Sequence, residues 1–392
     1  MNTVSKILIV DDEPFNVDYL EQELEGLDCE VISASNGQEA LEKVRDAAPD
    51  LVLLDIMMPV MDGFTVLSQL KAEAATRDIP VVIISASNDL KSVVKGIQMG
   101  AEDYLPKPFE PTLLHARVSS SLEKKRLHDL RALYLKSLER ELEIAREIQM
   151  SFLPTELPTI EGWEVAAYFK AAREVAGDFY DAITLPDDQF VFNVGDVCGK
   201  GIGAALFMTL YRSLIRAAAT TTYLAPAREG KLDPNAERLK QAVSCANNYV
   251  METHEDAKFT TLFIGLVELK TGRLTYMNCG NESPLVIRKD GSMTELKPTS
   301  PAIGIFKGIE FAIGETILEK DDMLLAFTDG ITDAMNGDNS IFGRQRLEGV
   351  VRKFSGSCSK LLNLLVDEAQ QFAGGVEQFD DITLLAVKRT GN

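Results

Sequence analysis

The chain of 392 residues has little of what zinc cages, disulfide scaffolds and membrane spans are built from. It carries three histidines and five cysteines (Cys29, Cys198, Cys245, Cys279 and Cys358), with no C-x-x-C pair among them. That inventory argues against a thiolate or imidazole zinc site and leaves reduced, mostly buried thiols as the expectation. No run of about 18 uninterrupted apolar residues occurs, and residues 1–6 lead directly into a strand pattern with no signal-peptide core. A soluble cytoplasmic protein is expected. Positive charge is short as well: 40 Lys and Arg stand against 60 Asp and Glu, a net of -20, which disfavours nucleic acid and anionic membrane as partners. There is no internal repeat and no low-complexity tract.

What is present is globular composition, 45% hydrophobic and 26% charged, in a length that fits two or three domains at about 150 residues each. The acidity is uneven. Residues 1–115 hold 8 basic and 21 acidic side chains, 116–150 hold 8 and 6, and 151–392 hold 24 and 33. Short apolar runs at 7–10, 31–33, 51–54, 81–85 and 104–105 alternate with amphipathic stretches, the pattern of a doubly wound parallel α/β sheet. A fifth helix is expected to begin near Pro111, and a first domain, 1–121, to end near Ser121.

Residues 122–150 contain no glycine or proline, and Leu127, Leu130, Tyr134, Leu138, Leu142, Ala145 and Ile148 recur at three- or four-residue steps. This predicts a helical linker over 122–152. Its stripe either pairs with a second copy as a coiled coil, giving a homodimer, or packs on the neighbouring domain. Pro154 and Pro158 end it. The remainder, 153–392, shows strand-like runs at 165–169, 190–194, 262–269, 274–277, 284–287, 323–327 and 382–387, with helical patterns at 204–219, 235–251 and 359–372. Tight turns at 270–273 and 289–291 favour antiparallel sheets flanked by helices, an α+β layered β-sandwich.

In an open parallel sheet functional groups gather at the carboxyl ends of the strands. Asp11, Asp12, Asp55, Ser85 and Lys107 all fall there. Three converging carboxylates repel unless a cation joins them, and an oxygen-only set suits Mg²⁺; Asp55 is then placed to accept a phosphoryl group beside Lys107. Any one aspartate alone reads as a turn residue. Together, Asp11-Asp12, Asp55 with Met58-Pro59-x-x-Asp62-Gly63, Ser85-Ala86 and Lys107-Pro108 resemble the receiver domain of response regulators. That resemblance implies Asp55 as phosphoacceptor, Tyr104 as the switch aromatic that answers Ser85, a cis Lys107-Pro108 bond, and a histidine kinase or phosphotransfer protein as donor.

The larger domain has no G-x-S-x-G and no H-E-x-x-H. Its acidic residues are placed suggestively: Asp178 in Gly177-Asp178-Phe179-Tyr180, Asp196 in Gly195-Asp196-Val197, Asp329 in Phe327-Thr328-Asp329-Gly330, and Asp380-Asp381 before Ile382-Thr383. Carboxylates without histidine or thiolate select Mg²⁺ or Mn²⁺, and two such ions about 4 Å apart activate a water for direct phosphomonoester hydrolysis. These motifs, with Glu143 to Gln149, Leu153-Pro154, Arg173-Glu174-Val175-Ala176, Gly199-Lys200-Gly201 and Phe342-Gly343, resemble the metal-dependent PPM serine/threonine phosphatases in their bacterial, sporulation stage II E branch. The resemblance implies that two Mn²⁺ or Mg²⁺ are held by Asp178, Asp196, the Val197 carbonyl, Asp329 and Asp380, with Arg173 contacting phosphate. Two departures stand out: Cys198 where eukaryotic relatives place a histidine, and Asn281 in place of the branch's usual histidine.

The expected function is a two-component output enzyme in which Asp55 phosphorylation controls a phosphoserine/phosphothreonine protein phosphatase, by resemblance acting on an anti-sigma-factor antagonist. The alternative is a phosphorylation-gated adaptor without activity. A transcription factor is disfavoured, since nothing after residue 121 resembles a helix-turn-helix. The Gly195–Gly201 stretch is not a phosphate loop, having three residues between glycines where four are needed.

Overall fold

A computed structural model describes residues 4–86, 90–224, 233–254 and 256–391, which fall into two compact units, Met1–Glu139 and Arg140–Asn392. Residues 1–3, part of the expected leader-free start, lie outside the described residues.

The first unit alternates β1 (Ser5–Val10), α1 (Pro14–Leu24), β2 (Cys29–Ala34), α2 (Gly37–Ala47), β3 (Leu51–Asp55), α3 (Gly63–Ala72), β4 (Val81–Ala86), α4 (Leu90–Gln98) and β5 (Asp103–Lys107). The strands pair in parallel in the order β2-β1-β3-β4-β5. Side chains alternate across this sheet, so Leu8, Val10, Val52 and Leu54 enter one core layer while Ile7, Ile9, Leu51 and Leu53 enter the other. Both faces are covered, which is why these runs are continuously apolar. The carboxyl ends of β1, β3, β4 and β5 therefore share one rim, and every residue of the expected acceptor site is on or beside it.

The helix predicted near Pro111 is α5 (Pro111–Phe152), 42 residues in one piece. The expected boundary at Ser121 falls inside it, whereas the compact units divide after Glu139. No glycine or proline occurs between residues 112 and 153, so nothing in the backbone interrupts the helix. Its first turns bury Leu114 and Val118 in the first unit's core, while Leu127, Leu130, Tyr134 and Leu138 are exposed.

The second unit contains β6 (Trp163–Lys170), β7 (Asp178–Leu185), β8 (Gln189–Val197), α6 (Ile202–Leu224), α7 (Pro234–Thr253), β9 (Thr260–Glu268), β10 (Arg273–Cys279), β11 (Leu285–Ile287), β12 (Met293–Glu295), β13 (Gly314–Ile317), β14 (Met323–Phe327), α8 (Asp329–Thr332), α9 (Gly343–Lys353), α10 (Cys358–Ala373) and β15 (Ile382–Arg389). Two five-stranded antiparallel sheets form, β13-β10-β9-β8-β7 and β12-β11-β14-β15-β6. Their inner faces meet in a core of Phe190, Phe192, Val194, Phe263 and Val267 against Leu324, Ala326, Leu385 and Val387. The alternate residues face outward: Val191, Leu262 and Ile264 pack against Met208, Tyr211, Ile215 and Val243 of α6 and α7. Leu325, Phe327 and Leu384 pack against Leu347 of α9 and Leu361 and Leu365 of α10.

The result is a helix-sheet-sheet-helix sandwich. Truncating a fully buried ring at its centre, as in Phe192→Ala, would cost about 3–5 kcal/mol. The stretch of α6 that is long and apolar enough to span a bilayer, Ile202–Thr222, is a helix of this sandwich, with Ala204, Met208, Tyr211 and Ile215 in the core beneath it.

Candidate active site

At the rim of the first unit's sheet the structure brings Asp11, Asp12, Asp55 and Lys107 together. The ligand oxygens of Asp11, Asp12 and Asp55 lie within 4.8 Å of one another. Lys107 donates to Asp11 Oδ2 at 2.9 Å and to Asp55 Oδ2 at 2.7 Å. Burial raises Asp55 above the ordinary carboxylate range despite the Lys107 bond, and burial opposes the charge on Lys107, yet its two carboxylate partners hold it above its usual value. An acidic trio carrying one lysine is still rich in negative charge, and its oxygen-only donors fit a hard divalent cation such as Mg²⁺.

Ser85 Oγ is buried with no hydrogen-bond partner among the described residues, Tyr104 is half-buried beneath the Arg117 guanidinium, and Lys107-Pro108 is cis. The rest of the motif is structural. Asp62 caps α3 by accepting from the Thr65 N–H at 2.8 Å, and a Cβ on Gly63 would fall 2.2 Å from the Asp55 carbonyl, so only glycine fits behind Asp55.

In the second unit the acidic residues converge at one end of the sandwich. Asp178 opens β7 and pairs in register with Asp196 on β8. Asp329 begins α8 directly after β14, and Asp380 and Asp381 precede β15. Asp178 is buried, and its Oδ2 accepts from the hydroxyls of Thr328 at 2.6 Å and Thr383 at 2.7 Å. Thr383 N–H donates in turn to Thr328 Oγ1. One carboxylate thus ties the end of the first sheet to two strands of the second.

Asp381 plays a different part from its neighbour. Its carboxylate accepts from the backbone N–H groups of Ala172 and Gly177 at 2.8 and 2.7 Å, holding the β6–β7 loop in place. Asp380 instead meets Lys200 Nζ at 2.9 Å. A Cβ on Gly177 would lie 2.9 Å from the Val197 carbonyl oxygen and 3.6 Å from Asp196 Oδ1, so glycine keeps both oxygens uncovered.

This crowding shows in the acidities. Burial, then Asp196 and Asp381, push Asp178 well above the carboxylate range, against the two threonine hydroxyls. Burial and the charges of Asp329, Asp380 and Asp381 raise Asp196 to about 7. Asp329 rises to about 6 through burial and the nearness of Asp333, Asp380 and Glu282, with Lys200 opposing. Carboxylates crowded together in this way repel unless a cation joins them, and their all-oxygen chemistry fits Mg²⁺ or Mn²⁺. These residues are not drawn as tightly together as the receiver trio, the only group of three found within 4.8 Å among the described residues.

Several contributors have roles that their sequence positions do not spell out. Thr328 and Thr383 stand inside the quoted motifs, but a threonine beside an aspartate says nothing of which carboxylate it will serve. Asn281 is buried and spans the sheets: its Nδ2 donates to the Phe327 carbonyl at 3.1 Å and its N–H to Asn278 Oδ1 at 2.9 Å. Gln149, near the end of α5, is buried with its amide donating to the Ala176 carbonyl at 2.7 Å and accepting from the Ala176 N–H at 2.9 Å, two residues before Asp178. Arg173 is exposed in the β6–β7 loop, next to Ala172, and Cys198 is exposed after Val197.

Comparison with known proteins accords with this geometry. The family model for stage II sporulation protein E (SpoIIE) matches residues 186–390, and that for the response regulator receiver domain matches residues 7–119. Protein IcfG of Synechocystis is 39% identical over 263 residues, 64% of this chain and 41% of its own length. Response regulator PleD of Caulobacter vibrioides is 45% identical over 116 residues, 30% of this chain and 26% of its own. The chain thus spans less than half the length of these curated relatives. The solved SiaA-PP2C domain of Pseudomonas aeruginosa shares the fold of the second unit, with a TM-score of 0.53 at 23% identity over 66% of this chain and 99% of that one. The chain belongs to the stage II sporulation protein E (SpoIIE) family, with a response-regulator receiver domain preceding its PP2C-like domain.

Proposed function

We propose that the second unit is a metal-dependent phosphoserine/phosphothreonine protein phosphatase, controlled by phosphorylation of Asp55 through a histidine kinase or phosphotransfer protein. The observation that carries this reading is the pairing of Asp178 with Asp196 at the sandwich end, beside Asp329 and Asp380, with too little positive charge nearby to balance them. Asp178, Asp196, the Val197 carbonyl, Asp329 and Asp380 would hold two Mn²⁺ or Mg²⁺. Such ions lower the pKa of a bound water and neutralise a phosphoryl group. Thr328 and Thr383 fix the Asp178 carboxylate, Asp381 fixes the loop that carries it, and Arg173 is free to orient a phosphoryl oxygen. The receiver cluster would hold one Mg²⁺ on Asp11, Asp12 and Asp55.

The proposed substrate is a phosphorylated anti-sigma-factor antagonist, met in the cytoplasm, with no nucleic acid or membrane partner. The exposed stripe Leu127, Leu130, Tyr134 and Leu138 supports a homodimer through α5, and Gln149 supports a route from that helix to the Asp178 loop. Turnover of p-nitrophenyl phosphate with Mn²⁺ tests the enzyme reading. Activity that is abolished in Asp196→Asn and Asp329→Asn supports it, while background turnover equal in all three proteins leaves the adaptor. Release of phosphate from candidate phosphorylated antagonists, with and without beryllofluoride, identifies the substrate.

A further inference from the structure

A phosphorylated side chain approaching this site meets a field dominated by carboxylates, so cations not already spent on them become important for binding. Lys200 is spent: its ammonium pairs with Asp380 and also donates to the Phe379 carbonyl at 2.7 Å. Lys258 is not, having no carboxylate within 4.0 Å among the described residues. Its position is nonetheless closely set. The Lys258 carbonyl accepts from the Tyr211 hydroxyl at 2.9 Å, the next carbonyl, of Phe259, accepts from the Cys198 N–H at 2.9 Å, and Thr260 Oγ1 donates to the Asp196 carbonyl at 2.7 Å. The segment is thereby stitched to Asp196–Cys198.

From that anchor the side chain lies across the glycine-rich turn that follows Asp196. A Cβ on Gly199 would come 2.8 Å from Lys258 Nζ, and one on Gly203 would come 3.1 Å from its Cε. Gly199 also has a positive φ, which by itself accounts for a glycine there. Gly203 has no such excuse: it lies in the first turn of α6, where glycine is a poor helix former. Its want of a side chain keeps a track for the lysine. The turn itself belongs to the same end of the sandwich: Gly199 follows Asp196 by three residues, and Ala204, next to Gly203, has its Cβ 3.5 Å from the point beside Gly177 that lies 3.6 Å from Asp196 Oδ1.

We propose that Lys258 is a substrate-binding residue of this site, its ammonium contacting a phosphoryl oxygen of the bound phosphoprotein. The proposal rests on the phosphatase reading above. It is tested on the full-length, Mn²⁺-loaded protein with inorganic phosphate as competitive inhibitor and calorimetric ligand, and with a phosphoserine peptide as substrate. Lys258→Met should weaken phosphate binding and raise the peptide KM by at least about tenfold, the scale of a lost charge-assisted hydrogen bond, with Lys258→Arg retaining most of the affinity. Mn²⁺ affinity should stay that of the wild type. Gly203→Ala, which crowds the track, should shift phosphate binding in the same direction.

Phosphate affinity and KM within twofold of wild type in Lys258→Met would overturn the assignment, as would a fall in Tm unaccompanied by any change in phosphate binding, which marks a mere strut. A wild-type protein that neither hydrolyses phosphomonoesters nor binds phosphate removes the phosphatase reading and Lys258 with it. The two failures are therefore distinguishable.

Discussion

Thr328 donates its hydroxyl to Asp178 across the seam between the two sheets, at 2.6 Å, and Thr383 completes the clasp on the same oxygen at 2.7 Å. Asp178 is the least exposed of the candidate ligand carboxylates, and its charged form has these two hydroxyls as its fixed support. Thr328→Val removes one donor while conserving volume. Hydrogen bonds to charged groups contribute about 1.5–3 kcal/mol, so the variant should bind Mn²⁺ roughly tenfold or more weakly. Titration calorimetry reads this directly, and an unchanged Mn²⁺ affinity would show that the clasp is dispensable.

The metal-free protein should lose stability as pH rises. Asp196 and Asp329 titrate at about 7 and about 6 in the folded chain, against an ordinary aspartate value near 3.8. Between those limits the folded state binds more protons than the unfolded one, so its stability is full below the ordinary value and is lost as pH passes through the raised ones. Thermal melts in chelator should therefore show a lower Tm at pH 8 than at pH 5, with Mn²⁺ reversing the loss at pH 8. A chelated protein more stable at pH 8 would contradict the electrostatic picture.

Gln149→Ala should be costly for a residue on a long helix. It strips partners from the buried N–H and carbonyl of Ala176, each worth about 1–3 kcal/mol when left unpaired, and frees the loop before Asp178. Denaturant unfolding followed on the second unit, together with turnover, checks this. A variant with wild-type stability and turnover would remove Gln149 from any role in coupling.

The parallel sheet was legible in the sequence because both of its faces are buried, which leaves apolar runs with no competing signal, and the candidate receiver residues stand out because five of them fall together at strand ends within a recognisable motif set. The sandwich was harder. β7 gives no clear strand signal because Asp178 and Asp181 break its apolar pattern, the first accepting from Thr328 and Thr383 and the second pairing with Arg212 and Arg216 of α6. α9 buries only Leu347 and Val351, too few for a periodic stripe. The metal-ligand candidates could be named from motifs, but Asp381, Thr328, Thr383 and Asn281 act through partners 46 to 209 residues away, and no local pattern encodes such a contact.

If the exposed stripe of α5 pairs two copies, Leu130→Glu with Leu138→Glu should keep the protein monomeric under all conditions. Light scattering with Mg²⁺ and beryllofluoride, which mimics the phosphorylated Asp55, should report a doubled mass for the wild type and a single mass for the variant. Asp55→Asn should ignore the mimic. A wild type that stays monomeric with the mimic bound would dispose of the α5 dimer.

Crystals soaked in manganese and measured for anomalous scattering offer the most direct test of the central claim, because the receiver cluster of Asp11, Asp12 and Asp55 supplies an internal control in the same chain. The account predicts two further peaks in the second unit, enclosed by Asp178, Asp196, Asp329 and Asp380, and their loss in Asp196→Asn. A peak at the receiver cluster with none among those four carboxylates would contradict it.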